Sequence, residues 1–273
     1  HGASSTQITH IITQLNDHTV CRVIELVLAD KGDPGVPFTW LCFGSEGRSE
    51  QTLHTDQDNG ILFEARDAAE AADIRQRLLP IAQQINQHLA ACGFTLCKGN
   101  IMAGNPELCL SRAEWGRRFS AFIREATPEN LLASTIYFDL RVVWGDEQGC
   151  AQLRRGILEQ VADNRLFQRM MADNALRHRP PVGRFREFVL ERKGSDKATL
   201  DLKVQGLTPF VDGARLLALA NGVEANNTLE RLRQLVALDV IEALDGAAYE
   251  DAYHFIQQTR MQQHQLQTRE NRP

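Results

Sequence analysis

Two carboxylates in the sequence stand close enough to act together. Asp56 and Asp58 are separated only by Gln57 and precede the apolar run Asn59–Phe63, which has the length and composition of a β-strand. Residues at i and i+2 of a strand point to the same face, about 6 to 7 Å apart along the chain. Mg²⁺ is usually held by one or two carboxylates together with substrate phosphates, and a pair of ions can activate one oxygen and stabilise another. The pair therefore predicts a site for two Mg²⁺ ions, or Mn²⁺ in their place.

A turn upstream of the pair favours phosphate chemistry. An Asp-x-Asp sequence often arises by chance, and acids beside a strand are commonly turn formers or helix caps. Here, however, the preceding apolar run ends in Gly44-Ser45, where the glycine lets the backbone approach a phosphate and the serine can donate a hydrogen bond. Arg48 can then contact a triphosphate through two parallel hydrogen bonds. The alternative for Arg48 is a surface ion pair with Glu46 or Glu50.

Asp139 is the natural candidate for a third carboxylate from a neighbouring strand. Residues 135–144 are dense in β-branched and aromatic side chains, so we predict a strand over this run. Asp139 would lie on the face that it shares with Tyr137, Arg141 and Val143. The three aspartates together predict a metal centre.

These motifs carry a resemblance to a known family. A strand, Gly-Ser, Asp-x-Asp eleven positions after the serine, and a later strand acid resemble the polymerase-β-type nucleotidyltransferase superfamily. More narrowly, residues 44–59 (Gly-Ser-Glu-Gly-Arg-Ser-Glu-Gln-Thr-Leu-His-Thr-Asp-Gln-Asp-Asn) resemble the nucleotidyltransferase domains found beside CBS and cyclic-nucleotide-binding modules in bacterial signalling proteins. The likeness continues over nearly the whole chain, through residues 102–106, Trp115, residues 138–141, residues 201–203 and His264-Gln265. The chain is more distantly similar to glutamine synthetase adenylyltransferase and uridylyltransferase.

The resemblance implies a bound nucleoside triphosphate (NTP) and divalent cations. It places metal ligation and catalysis on Asp56, Asp58 and Asp139, and phosphate contact on Gly44 and Ser45. It also implies a small mixed sheet with helices, followed by a helical substrate-binding bundle.

Nucleotide binding is also assigned to three further side chains, Arg48, Glu50 and Lys203. Arg48 and Glu50 match the family pattern, as does Gln51, although the pattern itself does not assign their roles. Lys203 would reach the phosphates or the acceptor, and its alternative is a surface ion pair with Asp201 or Asp196.

Strands interleaved with helices in the first half predict an α+β fold, a small mixed sheet with flanking helices followed by an all-α bundle. Helices are predicted over residues 4–29, 68–91, 112–125, 147–177, 209–221, 228–244 and 249–267, and strands over residues 38–43, 59–63, 94–97 and 135–144. Loops rich in turn formers are predicted over residues 98–106 and 193–196. We expect a nucleotidyltransferase-like domain with an N-terminal helix over residues 1–146 and a helical substrate-binding domain over residues 147–273.

Composition limits the function classes. The net charge of -5 argues against a nucleic-acid partner, which usually meets a basic face. No apolar run approaches the roughly 18 to 20 residues that span a bilayer, and the scattered cysteines suit a reducing compartment, so we expect a cytoplasmic protein. There is no P-loop and no Gly-x-Ser-x-Gly elbow. The start at His1, without Met, is compatible with an artificial boundary or with a piece cut from a longer polypeptide.

Two functions remain open at this stage. One is a metal-dependent enzyme that transfers a nucleotide from an NTP to a hydroxyl acceptor, a protein tyrosine or a small molecule, in bacterial signalling or in the regulation of a protein partner. The other is a non-catalytic nucleotide-binding module that regulates attached CBS or cyclic-nucleotide-binding domains. Three intact acids favour the enzyme. An RNA-modifying enzyme would use the same core, but the acidic net charge disfavours an RNA acceptor.

Overall fold

The computed structural model describes residues 4–52, 56–177 and 201–269. These residues fall into two compact units: one is Gln7–Asp163, and the other takes in Asn164 onwards together with the start of the chain up to Thr6. The expected domain boundary between residues 146 and 147 stays a prediction.

The described part of the first unit contains a four-stranded mixed sheet of order β3-β2-β1-β4. Its strands are β1 (Phe38–Cys42), β2 (Asn59–Phe63), β3 (Cys109–Ser111) and β4 (Arg141–Trp144). Strand β1 is antiparallel to both β2 and β4, whereas β2 and β3 are parallel. Cys42, the last residue of β1, pairs with Asn59 and with Arg141, so the end of β1 and the starts of β2 and β4 lie at one edge. We call it the Asn59 edge.

Helices cover both faces of this sheet, which confirms the predicted α+β class. They are α1 (Ser5–Lys31), α2 (Gly44–Gly47), α3 (Ala68–Ala91), α4 (Arg112–Arg124), α5 (Pro128–Tyr137) and α6 (Gln148–Ala162). Helix α3 has the predicted bounds. Its start is fixed by the side chain of Asp67, which accepts a hydrogen bond from the Glu70 N–H at 2.9 Å. Apolar residues of α1 and α3 pack on one face of the sheet, with Ile24, Trp40, Ile61 and Leu78 fully buried among them.

The other face carries a cluster of aromatic rings. Trp115 of α4 stacks on Phe119 and packs against Phe43, which directly follows β1. The indole N–H of Trp115 donates a hydrogen bond of 2.9 Å to the carbonyl of Ile61 in β2. This bond fixes α4 to the middle of the sheet.

The described part of the second unit is helical. It comprises α7 (Arg165–Ala175), a π-helical turn (Leu202–Leu207), α8 (Thr208–Ala220), α9 (Thr228–Ala237) and α10 (Ala243–Arg269). Its core is built from apolar residues of the π-helical turn and the last three helices, among them Val211, Ala218, Leu232, Leu235 and Tyr253.

Several predicted elements are wrong in detail. Residues 135–144 are not one strand: α5 runs to Tyr137, β4 begins at Arg141, and Asp139 lies between them. Residues 94–97 form no strand, since only Thr95 makes an isolated bridge, and β3 lies further along. The helix predicted over residues 147–177 is two helices, and α10 begins earlier than predicted. The predicted loop over residues 193–196 lies outside the described residues.

None of the helices in the described ranges combines the length and the apolar character that a membrane crossing requires.

The Trp115 hydrogen bond gives a stability prediction. Trp115→Phe keeps an aromatic ring but leaves the Ile61 carbonyl buried without this donor, so we expect a loss of about 1 to 3 kcal/mol of unfolding free energy. Urea unfolding followed by circular dichroism measures it. Leu132→Ala, at a side chain 62% exposed in the same unit, should change stability by less than about 0.5 kcal/mol. Equal losses in both variants would contradict the assigned role.

Candidate active site

The two aspartates of the Asp-x-Asp segment lie at the Asn59 edge of the sheet. Asp56 forms a parallel bridge with Thr95, and the Gln57 N–H donates to the Thr95 carbonyl at 2.8 Å. The Phe43 N–H donates to the Asp58 carbonyl at 2.9 Å, which extends the pairing of β1 and β2. Asp56 is exposed and Asp58 is partly exposed, whereas Gln57 between them is buried. This is the alternation that an extended segment predicts.

A network of buried amides holds this segment in place. Asn86 of α3 donates to the side-chain oxygens of Gln57 at 2.8 Å and Asn59 at 2.9 Å, and it accepts from the Gly104 N–H at 2.8 Å. Gln57 in turn donates to the carbonyls of Asn86 and Phe94. Because both amides next to Asp58 are anchored inward, the two carboxylates are directed away from the core.

The predicted phosphate turn is the short helix α2, and it lies directly against these acids. Gly44 has φ of +56°, a conformation that favours glycine, and a Cβ placed on it would lie 3.5 Å from Oδ2 of Asp58. Ser45 is partly exposed. Gly47 is essential to the packing, because a Cβ there would lie 1.8 Å from the backbone oxygen of Asp139. The structure thus brings Gly44 next to Asp58, and Ser45 follows Gly44 in α2.

Arg48 does not have the surroundings of a surface arginine. Its Nε donates to Glu50 at 2.7 Å and its Nη1 to Asp139 at 2.6 Å, with only 12% of the Arg48 side chain exposed. Burial alone would lower the pKa of Arg48, but the charges of Glu50 and Asp139 outweigh it and raise the pKa. The buried ion pairs tie the segment after α2 to the chain between α5 and β4.

Asp139 therefore stands in a different environment from the other two aspartates. Its side chain is fully buried and its Oδ2 accepts from Arg48. Within the described ranges, no group of three or more His, Cys, Asp or Glu side chains is arranged to hold a metal ion. Asp56 and Asp58 offer the oxygen donors that Mg²⁺ prefers. The three-carboxylate centre stays a prediction.

A second arginine, Arg141 of β4, links α2 to helix α1. Arg141 of β4 binds both carboxylate oxygens of Asp17 at 2.7 and 2.9 Å, and it donates to the carbonyl of Glu46 at 3.1 Å. Thr13 of α1 donates to the buried side chain of Gln51 at 2.9 Å. The N-terminal helix thus fixes the backbone on both sides of Arg48.

Glu46 is a buried acid inside the turn. Burial raises its pKa from 4.5 to about 8, although a hydrogen bond from Cys42 and the charge of Arg141 lower it. Asp58 lies near enough to contribute to the rise.

Lys203 lies in the second unit, where its side chain is exposed and its N–H donates to Asp201. The assignments of Glu50 and Lys203 to nucleotide binding stay predictions.

Sequence reasoning missed the residues that support the acids. Asn86 lies on the buried face of a predicted amphipathic helix, where a polar residue is itself a signal. Gln57 and Asn59 were identifiable by their period-2 alternation with the aspartates. Nothing in the sequence indicated that Asp17 and Arg141, more than 120 positions apart, are partners.

A mixed sheet whose edge places a Gly-Ser turn against an Asp-x-Asp segment defines a protein of the nucleotidyltransferase type. Comparisons with known families agree: residues 1–129 match the family described as "Putative nucleotidyltransferase DUF294", and residues 165–273 match the family described as "Putative nucleotidyltransferase substrate binding domain". The chain belongs to this nucleotidyltransferase family, as the sequence predicted. No curated protein shows a significant match to the chain.

The amide network gives a prediction about the acids. Asn86→Ala leaves polar atoms of Gln57, Asn59 and Gly104 without this partner, so we expect a loss of about 2 to 4 kcal/mol in unfolding free energy. Urea unfolding measures it. Gln87→Ala, at an exposed position of the same helix, is the matched control and should stay close to the parent. A near-neutral Asn86→Ala would show that the network does not hold the segment.

Glu46 gives a pH prediction. The folded chain keeps the Glu46 proton up to a pH of about 8, whereas the unfolded chain releases it near 4.5. Between these values the folded state binds more protons, so stability falls as the pH rises through this window. Glu46→Gln removes this proton, and its unfolding free energy should fall less from pH 5 to pH 8 than that of the parent. Parallel pH profiles of the two chains would contradict the prediction.

Proposed function

We propose that the first unit transfers a nucleotide from an NTP to a hydroxyl acceptor, with divalent cations held by Asp56 and Asp58. The observation that carries this proposal is the contact between Gly44 and Asp58, with Gln57 anchored inward so that both carboxylates point outward. A phosphate that approaches the backbone of Gly44 would meet these acids directly.

The reaction is a substitution at the α-phosphorus. The acceptor oxygen forms a bond to the α-phosphorus and gives its proton to solvent water. The bond between the α-phosphorus and the oxygen that bridges it to the β-phosphate breaks, and pyrophosphate leaves. Bound Mg²⁺ or Mn²⁺ would supply the positive charge that activates the attacking oxygen and stabilises the leaving one. The Gly44 backbone and the Ser45 hydroxyl would orient the phosphates, and the aspartates would fix the cations.

Asp139 would join Asp56 and Asp58 either through its second carboxylate oxygen, with Oδ2 still bound to Arg48, or after that ion pair opened. The acceptor would be a protein side chain or a small molecule, because the net charge of -5 does not favour a polyanion. A role in bacterial signalling, next to CBS or cyclic-nucleotide-binding domains, belongs to this proposal as well. The cytoplasmic location stays a prediction.

The Arg48–Asp139 pair also supports a second candidate, a nucleotide-binding module that regulates attached domains without catalysis. A carboxylate that is buried and neutralised by arginine is a poor third ligand for a cation. In this candidate the site would bind an NTP and leave it unreacted.

Replacement of one acid tests the enzyme. Asp58→Asn removes a negative charge beside Gly44 with little change in shape, so nucleotide transfer that depends on Mg²⁺ should fall by roughly 100-fold or more. The chain is incubated with Mg²⁺, cell lysate and each of the four NTPs labelled at the α-phosphate, and label on protein and on small molecules is counted.

Asp30→Asn, which removes an exposed carboxylate from α1, is the matched control and should transfer at the parental rate. Transfer by Asp58→Asn at that same rate would refute the mechanism. Tight NTP binding by the unaltered chain without any transfer would select the regulatory module.

A further inference from the structure

Arg118 is an arginine whose orientation is fixed by aromatic rings. Its guanidinium carbon lies 5.6 Å from the ring centre of Tyr137, 5.8 Å from that of Phe122 and 6.0 Å from that of Trp115. Nη1 donates to the backbone carbonyl of Glu107 and lies 3.5 Å from the Glu107 carboxylate. About a quarter of the side chain, 26%, stays exposed. A guanidinium packed on rings keeps its N–H groups in its own plane, where they can bind a planar or tetrahedral anion at two points.

The ring cluster places this cation near the candidate active site. The Tyr137 ring packs edge-on against Phe43, with ring centres 5.1 Å apart, and the Phe43 N–H donates to the Asp58 carbonyl. Burial is the main cause that raises the pKa of Tyr137, but Arg118 lowers it and Asp58 raises it. The charges of Arg118 and Asp58 thus both lie close enough to Tyr137 to affect its pKa.

The topology agrees with this placement. Strands β2 and β3 are parallel, so Glu107, which precedes β3, lies on the same side of the sheet as the Asn59 edge. Helix α4 starts after β3 and runs back from Trp115, at the level of Ile61, towards that edge. Arg118 is one turn further along α4, beside Glu107.

The two arginines described above at this edge hold their acids at 2.6 to 2.7 Å, whereas Arg118 lies 3.5 Å from the exposed carboxylate of Glu107. Arg48 binds Glu50 and Asp139, and Arg141 binds Asp17. A triphosphate nevertheless carries several negative charges, and transfer leaves more charge on the departing pyrophosphate. Cationic side chains that meet these oxygens are a regular part of phosphoryl and nucleotidyl transfer sites.

We infer that Arg118 contacts the β- and γ-phosphates of the nucleotide bound at Asp56 and Asp58, and so helps the site to distinguish nucleoside triphosphates from monophosphates. This inference rests on the proposed function. It assigns to Arg118 the phosphate contact that the sequence had suggested for Arg48.

Binding measurements test the inference without any need for catalysis. The affinities of ATP and AMP are measured by calorimetry in the presence of Mg²⁺, for the full chain and for Arg118→Gln. We expect Arg118→Gln to weaken ATP binding by about 10- to 100-fold, because charged hydrogen bonds are lost, and to change AMP binding by less than about threefold. Arg118→Lys keeps the charge and should bind ATP more tightly than Arg118→Gln does.

Two controls separate this role from the alternatives. Arg117→Gln removes an exposed charge from the position of α4 directly before Arg118. Lys98→Gln removes an exposed charge from the loop after Cys97. Both should bind ATP like the parent. Thermal unfolding of each variant shows whether the fold is kept, and in a folded Arg118→Gln the ratio of ATP to AMP affinity is the quantity that decides.

An unchanged ratio in Arg118→Gln would overturn the inference, and so would a loss of ATP affinity confined to Lys98→Gln. These outcomes would leave the proposed function intact. If the unaltered chain bound neither ATP nor any of the other three NTPs, the proposed function would itself fail, which measurements on the parent alone reveal.

Discussion

The amide group of Asn86 is the point on which the geometry of the candidate site depends. It joins helix α3 to both polar side chains that alternate with the aspartates, and it also binds the backbone of the loop at Gly104. A buried amide is stabilising only when its hydrogen bonds are made, so this arrangement tolerates few alternatives. Because the inward positions are occupied by Gln57 and Asn59, the alternation of an extended segment directs Asp56 and Asp58 outward.

The acids around the Asn86 network differ in their exposure to water. Arg48 and Arg141 bring three acids, Glu50, Asp139 and Asp17, into ion pairs that lie partly or wholly out of water. Such pairs gain little net free energy when both partners are buried, but loss of one partner is costly because the other charge stays behind. Their structural effect is to fix the backbone before and after α2. Asp56 is exposed and Asp58 partly exposed, and these are the acids to which the proposed function assigns a cation.

How far the sequence predicts this structure depends on the kind of signal. Helix α3 was predictable to the residue, because its apolar periodicity is bounded by a capping aspartate and a glycine. The family resemblance placed Gly44 and Asp58 in one site, and the structure has them next to each other. Residues 135–144 were misread as a strand because β-branched and aromatic residues also fill a buried helix end. Thr127 followed by Pro128, a helix-start signal, was present there and indicated α5. Ion pairs between distant positions, such as that of Arg48 with Asp139, leave no local pattern at all.

The alternation of acids and amides from Asp56 to Asn59 also bears on how the chain reaches this arrangement. A segment with polar side chains on both faces usually specifies its register weakly, since a shift by one position exchanges one polar face for another. Here the two faces are not equivalent. A slip of one residue would turn both carboxylates into the space around Asn86, where burial of their charges without a cationic partner would cost free energy. The slip would also expose the two amides to water, and this exposure would not offset that cost. The two acids would thereby disfavour the misfolded register even before a ligand binds. The same residues would then serve both correct strand pairing and the proposed reaction.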